Sequence, residues 1–211
     1  RQDQTGDIRA QLGAVQVAER NLLRLLDKYG KETVKACIEE LLNMSEKRMR
    51  NFISQIPDGV YKGKGVVEDA GHGYGDITIE TTVTIAGDHM HIALSSPPQI
   101  PYFINSYHSN SFSACCLGIM MFTQAPAPYN EGMYRPITFD PGPIGTVTNA
   151  IEPAPHVNST TTPSESITDS VRDALEKAMP ERAVASWGHC NGLNIAGRDP
   201  RRDDREYVAM V

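Results

Sequence analysis

The sequence has no long uninterrupted run of apolar residues and no excess of positive charge. Its richest apolar run, residues 114–122, has about half the length that a helix needs to cross a bilayer. The formal net charge is -6 at pH 7, and the pI is about 5.5. The chain therefore has no overall field that would attract nucleic acid or an anionic membrane surface, and we expect neither as a partner.

Cysteine is scarce, with four residues in a chain of 211. Cys115 and Cys116 are adjacent, while Cys37 and Cys190 stand alone. This spacing matches neither a C-x-x-C motif nor the density of a secreted disulfide scaffold. We predict reduced thiols and a cytoplasmic location. The adjacent pair lies in an apolar, Met-rich run, so we expect it in the core and not as a nucleophile.

The N-terminal quarter of the chain shows the periodicity of two amphipathic helices. The first apolar stripe recurs at steps of three, four or seven: Ile8, Leu12, Val15, Leu22 and Leu26. Gly30 ends this stripe, and a second one runs over residues 34–56. We predict a helix hairpin over residues 1–57. Its apolar seam must be covered by something else, and the rest of the subunit is the first expectation.

Residues 58–211 change character after the turn signal Pro57-Asp58-Gly59. Residues 76–85 alternate between apolar and polar types, and a turn at residues 86–88 leads into a second strand, which predicts a β-hairpin. Residues 106–123 predict a buried helix. Thr162-Pro163-Ser164-Glu165 combines an early proline with a capping box, and both features mark the start of a helix.

This order of elements predicts an α+β fold. It consists of a long N-terminal helix hairpin, followed by a mixed β-hairpin/helix domain with long proline-rich loops. We place the two domains at residues 1–57 and 58–211.

The phosphate-binding motifs in the chain are incomplete. Residues 59–65 approach a P-loop, but they lack one spacer residue and the Ser/Thr that would hold magnesium. Gly71-His72-Gly73-Tyr74-Gly75 precedes a strand instead of opening a helix, unlike a dinucleotide fingerprint. We expect this chain to bind neither ATP nor NAD through these motifs. Residues 63–75 are interpreted as a flexible connection.

Two histidines lie two residues apart on the second predicted strand. His89 and His91 therefore point to the same side, as a pair of metal ligands can. No Asp, Glu or Cys accompanies them at ligand spacing, so a solvated strand face is the alternative interpretation.

The proline-rich loop carries a second group of candidates. Asn130-Glu131-Gly132, Arg135-Pro136 and the segment ending at His156 place polar side chains on backbone that prolines keep irregular. Such loops hold functional groups rigidly, which suits a site. A surface pair between Arg135 and Glu131 is an equal alternative.

Several blocks together resemble the hydantoinase B/oxoprolinase family. In chain order they are Gly6-Asp7-Ile8-Arg9-Ala10-Gln11 with Tyr29-Gly30, Pro57-Asp58-Gly59-Val60-Tyr61, Ser95-Ser96-Pro97-Pro98-Gln99 with Ile104-Asn105, Asn130-Glu131-Gly132 with Arg135-Pro136-Ile137, and Gly145-Thr146-Val147-Thr148-Asn149 with Pro153-Ala154. Within the family, the large subunits of acetone and acetophenone carboxylases look most similar. Two segments depart from the pattern: residues 92–94 replace an Asp-Phe pair, and residues 101–103 replace a glycine.

The resemblance implies a division of labour in a hetero-oligomer. A hydantoinase A-like partner would bind Mg-ATP, while the B-type subunit would host the carbon-centred step. We expect a ketone carboxylase that uses a small ketone and bicarbonate. The alternatives are ATP-dependent ring opening of an oxoproline, hydantoin or lactam, or a purely structural fragment of such a complex. A divalent metal, Mn or Zn, would be held by the family's His/Asp-rich segment, outside this fragment.

The resemblance also suggests which residues would act. Arg135 would bind an anionic group and His156 would transfer protons, since a guanidinium fork and an imidazole suit those tasks. Asn105 and Glu131 would orient them.

Overall fold

The computed structural model describes residues 2–123, 129–186 and 194–210. Two compact units divide the chain: a helical unit, Arg1–Met49 with Ala127–Arg135, and a sheet unit, Arg50–Pro126 with Pro136–Val211. These units are defined by contacts between residues, whereas the predicted domains were defined by the change in residue pattern after residue 57. The domain boundary after residue 57 therefore stays a prediction. Cys190 lies outside the described residues.

The predicted N-terminal helix hairpin is confirmed. Helix α1 spans Gln2–Tyr29 and helix α2 spans Lys31–Ile53. Gly30 joins them at a φ of 80°, a left-handed conformation that favours glycine. The apolar stripe of α1 and the first part of that of α2 remain exposed in this chain, whereas Met49, Phe52 and Ile56 at the end of the second stripe are buried. Leu12 on α1 is 60% exposed and Leu41 on α2 is 47% exposed.

A four-stranded sheet forms the centre of the sheet unit. Its strands are β1 (Gly59–Val67), β2 (Ile77–Ala86), β3 (His89–Ser95) and β4 (Ile137–Asp140), in the order β1-β2-β3-β4. The first three strands pair antiparallel, and β4 pairs parallel to β3. Alternate residues of β2 and β3 are buried, as their period of two predicts. The predicted α+β class and the β2–β3 hairpin are thus confirmed.

The interpretation of residues 63–75 as a flexible connection is wrong for their first part. Residues 63–67 belong to β1, which pairs with β2 along its whole length. Two glycines of β1 let a helix approach closely. A β-carbon on Gly63 would lie 1.9 Å from the Ser170 carbonyl oxygen, and one on Gly65 would lie 1.9 Å from that of Ser166. The near-miss P-loop is therefore a strand covered by a helix.

That helix is α4 (Thr162–Ala178), which packs on β1 and β2 and also against α3 (His108–Thr123). Both helices were predicted. The predicted capping box is wrong, because Thr161 is the N-cap and its side chain makes no capping hydrogen bond. The buried face of α4 carries Ile167, Val171 and Leu175, all at 0% exposure. Burial of this face fixes α4 on the sheet.

The C-terminal strands were not predicted. Strands β5 (Asn194–Asp199) and β6 (Arg205–Met210) form a separate antiparallel pair. Among the described residues, no helix is both long and apolar enough to cross a membrane.

Candidate functional site

The proline-rich loops of the sheet unit are fixed by a network of hydrogen bonds. Thr148 is fully buried. Its Oγ1 lies 2.8 Å from Ser96 Oγ and donates to the Pro141 carbonyl at 2.8 Å. Its own carbonyl accepts from Ser111 Oγ at 2.7 Å. In the described part of the chain, no buried side-chain nitrogen or oxygen is left without a hydrogen bond. These irregular segments are therefore rigid, as their prolines predict.

Asn105 is the centre of this network. Its side chain is fully buried, and its Oδ1 accepts from the Ile100 N–H at 3.0 Å. Its Nδ2 lies 2.8 Å from the Ile100 carbonyl, 2.7 Å from that of Tyr102 and 2.8 Å from that of Pro155. Every hydrogen-bonding group of the carboxamide is used. Asn105 therefore ties two loops together and has no free group for a substrate.

His156 follows Pro155 and is held on the surface. Its ring lies 4.1 Å from the Tyr107 ring, centroid to centroid. The Tyr107 hydroxyl donates to the Ala154 carbonyl at 3.4 Å. The imidazole of His156 is exposed, so its ring position is fixed while its nitrogens can be reached from solvent.

A second histidine–tyrosine pair lies on the neighbouring loop. His72 Nε2 is hydrogen-bonded to the Tyr102 hydroxyl, and the two rings meet edge to face with centroids 4.2 Å apart. His72 has a φ of 50° between Gly71 and Gly73, at 80° and 81°. Glycine adopts positive φ without steric cost, so only His72 is in an unfavourable conformation here, and the two flanking glycines allow the tight bend of the loop.

The loops at residues 99–101 and 153–155 line a shallow cleft of about 490 Å³. Its lining consists of Gln99, Ile100, Pro101, Pro153, Ala154 and Pro155. None of these side chains is charged. On one side the lining ends at Pro101, next to Tyr102 of the His72–Tyr102 pair. On the other side it ends at Pro155, next to His156 of the Tyr107–His156 pair.

In the helical unit, the Asn130-Glu131-Gly132 block forms a 3-10 turn, Glu131–Tyr134. Asn130 caps this turn by accepting from the Gly132 N–H at 3.0 Å, and it donates to the Leu41 carbonyl at 3.3 Å. A β-carbon on Gly132 would lie 2.0 Å from the Leu42 carbonyl oxygen. The block is thus an anchor that holds this loop against α2, and Glu131 is exposed on it.

Arg135 closes the same turn and contacts three side chains of α2. It donates to Asn43 Oδ1 at 2.9 Å, Glu46 Oε2 at 3.2 Å and Glu39 Oε1 at 3.2 Å. The carboxylates of Glu46 and Glu39 raise the pKa of the guanidinium further above its ordinary value. Both ends of the guanidinium fork are therefore engaged within the helical unit.

The strand histidines have other partners. His89 Nδ1 lies 2.8 Å from Asp88 Oδ1, and this hydrogen bond, together with Arg50, holds the Asp88 pKa below its ordinary value. His91 Nδ1 lies 2.8 Å from Thr138 Oγ1. Across the described ranges, no group of three or more His, Cys, Asp or Glu side chains could hold a metal ion. The geometry favours a hydrogen-bonded strand face, and the described residues do not fit a metal centre.

Cys115 and Cys116 are buried in α3. Burial raises the pKa of the Cys116 thiol to about 12 and that of Cys115 well above its ordinary value. A thiol that stays protonated at neutral pH is a poor nucleophile. The expected place of this pair in the core is confirmed, and Cys37 is exposed.

The structure thus brings two of the four candidate residues together. Asn105 bonds to the carbonyl that immediately precedes His156, whereas Arg135 and Glu131 belong to the helical unit. Tyr107 and Gln99 were not predicted as site residues, although Tyr107 lies two residues after Asn105 and Gln99 ends the family block that begins at Ser95. Both were within reach of the resemblance, but nothing in their spacing indicated a contact with the distant 151–156 segment.

Comparison with protein families matches residues 1–211 to hydantoinase B/oxoprolinase. The beta subunit of the caprolactamase of Pseudomonas jessenii is 56% identical over 208 residues, which cover 99% of this chain and 36% of that protein. The B-type subunit of a putative D-/L-hydantoinase of Pseudomonas sp. (strain NS671) is 27% identical, over 92% of this chain and 34% of that protein. The chain thus spans about a third of the length of these relatives.

Two solved structures are similar. The crystal structure of ATP-dependent caprolactamase from Pseudomonas jessenii superposes with a TM-score of 0.89 at 55% identity, covering 97% of this chain and 35% of that one. A nucleotide-free structure of acetone carboxylase gives a TM-score of 0.65 at 14% identity, covering 90% of this chain and 27% of that one. The second likeness concerns the fold alone.

Proposed function

The chain belongs to the hydantoinase B/oxoprolinase family, and from that premise we propose that it is part of the B-type subunit of an ATP-dependent enzyme that opens lactams. The 56% identity to the beta subunit of a caprolactamase over nearly the whole chain carries this proposal. It supports the ring-opening alternative better than ketone carboxylation, because the acetone carboxylase likeness at 14% identity concerns the fold only. The proposed net reaction hydrolyses the ring C–N bond with one water molecule and ATP with a second, giving a linear amino acid, ADP and phosphate.

We place ATP on a hydantoinase A-like partner subunit. The glycines of β1 that approach a P-loop pattern face α4 so closely that a single β-carbon would collide with it. Phosphates therefore have no cradle there. The described residues also offer no metal centre, so we propose that a divalent metal, Mn or Zn, is held outside them. We further propose that the enzyme is a hetero-oligomer and that it is cytoplasmic. Cell fractionation would test the location.

The side chains of this fragment then receive different roles. His156 is the candidate for proton transfer, because its imidazole is exposed, fixed by Tyr107 and carried on a rigid loop. Asn105 is a positioning residue, since it is buried and holds that loop through Pro155. For Arg135 and Glu131 we propose a structural role, because Arg135 is bound by Glu39 and Glu46 and Glu131 lies on the anchoring turn.

The test is turnover by the assembled complex, with the full-length subunit and its hydantoinase A-like partner expressed together. With Mg-ATP and ε-caprolactam we expect the linear amino acid and ADP to form in step. Acetone with bicarbonate is the comparison substrate. ATP-dependent carboxylation of acetone without lactam opening would overturn the proposal and restore the ketone carboxylase hypothesis.

The purely structural alternative has its own test. His156→Gln should slow lactam opening strongly while leaving assembly and Tm unchanged. If this variant turned over lactam at the wild-type rate, His156 would not be the proton-transfer residue, and the purely structural alternative would gain support.

A further inference from the structure

The wall of the cleft between residues 99–101 and 153–155 has no backbone hydrogen-bond donor available to a ligand. Pro101, Pro153 and Pro155 have no backbone N–H. The backbone N–H groups of the other three lining residues are already used: Gln99 N–H donates to the Gly145 carbonyl, Ile100 N–H to Asn105 Oδ1, and Ala154 N–H to the Ile151 carbonyl. The backbone of the cleft wall therefore offers a ligand no donor.

One side-chain donor remains in the cleft wall. Gln99 Oε1 accepts from the Ile151 N–H at 2.9 Å, and this bond fixes which end of the carboxamide is the oxygen. Within the described residues, nothing accepts from the opposite end, Nε2. The Gln99 side chain is half-buried, so its NH₂ group is held in place by the Ile151 contact.

From this arrangement we infer that the cleft is the binding subsite for a neutral cyclic amide. The apolar wall of prolines, Ile100 and Ala154 would contact the methylene ring, and Gln99 Nε2 would donate to the ring carbonyl. The volume of about 490 Å³ is ample for a small lactam, within the common range of about 300 to 1,000 Å³. Because the lining has no charged side chain, a zwitterionic amino acid would lose its hydration without compensation.

This ligand class rests on the proposed lactam-opening function, so binding and turnover must be measured separately. Isothermal titration calorimetry on the assembled complex without ATP would measure the binding of ε-caprolactam and, separately, of the linear 6-aminohexanoate. We expect lactam binding to be at least tenfold tighter than binding of the zwitterion. Equal binding of the two compounds, or no lactam binding by the wild-type complex, would overturn the subsite.

Gln99→Glu removes the donor but keeps an oxygen for the Ile151 N–H. It should weaken lactam binding at least tenfold and raise KM for the lactam, with Tm unchanged. The matched control is Gln55→Glu, which adds the same charge at an exposed position outside the cleft lining. It should bind the lactam as wild type does.

Pro101→Trp places an indole at the exposed wall of the cleft and should weaken lactam binding to a similar extent. If Gln99→Glu lowers Tm, lactam binding by Pro101→Trp becomes the test of the subsite. Lactam turnover with wild-type KM in both folded variants would overturn the subsite and leave the proposed function intact. Absence of lactam turnover in the wild-type complex would instead overturn the proposed function.

Discussion

Gly65→Ala should destabilise the protein, because β1 and α4 are too close to admit a single added methyl group. The new β-carbon would lie 1.9 Å from the Ser166 carbonyl oxygen, whereas real β-carbons essentially never come within 3.0 Å of such an atom. The obstacle is helix backbone, which cannot rotate away as a side chain can. Helix α4 must therefore withdraw from the sheet by about 1 Å.

The cost follows from what α4 buries. Ile167, Val171 and Leu175 are all at 0% exposure, and full burial of each is worth about 1.5 to 3 kcal/mol. A gap of 0.5 to 1 Å forfeits about a quarter to a half of the dispersion energy of a contact. The loss is then about 1 to 4 kcal/mol, and its central value corresponds to a fall in Tm of about 5 to 10 °C for a cooperative unit of this chain's size, and to less in a longer one.

Thermal and urea unfolding of the full-length subunit would measure this loss. Gly63→Ala should behave similarly, because its β-carbon would lie 1.9 Å from the Ser170 carbonyl oxygen. Gly59→Ala is the matched control in the same strand, since the atoms nearest to its β-carbon would belong to the Tyr61 side chain, at 3.2 Å, and not to helix backbone. A Gly65→Ala Tm equal to that of the control would refute the close-packing argument.

Three further predictions concern the helical unit and the thiols. Arg135→Lys should lower Tm and leave kcat of the assembled complex near wild type, because Lys keeps the charge but loses the fork; a large fall in kcat at unchanged Tm would make Arg135 catalytic. In a Cys190→Ser background at pH 8, Cys37 should react quickly with a thiol reagent, while Cys116, whose pKa burial raises to about 12, should react only on unfolding. Leu41→Asp should abolish assembly with the partner subunits and leave the fold intact, since Leu41 is 47% exposed; normal assembly on size-exclusion chromatography would make the seam ordinary surface.

Periodicity was sufficient for the elements that bury one face. The stripe of Ile167 and Val171 predicted α4, and the alternation in residues 76–85 predicted β2, because burial of one face imposes these periods. Strands β5 and β6 could not be found in this way. Their side chains are largely exposed, with Val208 at 76%, so no apolar alternation marks them.

Glycine misled the sequence analysis in one strand for a physical reason. A Gly-rich segment such as residues 59–65 has the composition of a flexible linker. The same composition arises where a helix backbone lies directly on a strand, because any side chain would separate them. Composition cannot distinguish these cases, since the deciding fact is the distance from Gly63 and Gly65 to α4.

The same limit applies to the polar residues of the family blocks, which identify the family but do not distinguish a residue that docks a loop from one that binds a substrate. Asn130 and Gly132 dock a turn onto α2. The side-chain carboxamide of Asn105 forms its hydrogen bonds with backbone groups of two loops. A polar residue in an irregular loop suggests a site from sequence alone, but irregular backbone also needs internal partners for its own N–H and C=O groups. Asn105 supplies such partners and engages the Ile100 N–H, while backbone carbonyls engage the N–H groups of Gln99 and Ala154 in the neighbouring cleft wall. The side chain available to a ligand is then Gln99, whose orientation depends on a residue 52 positions away.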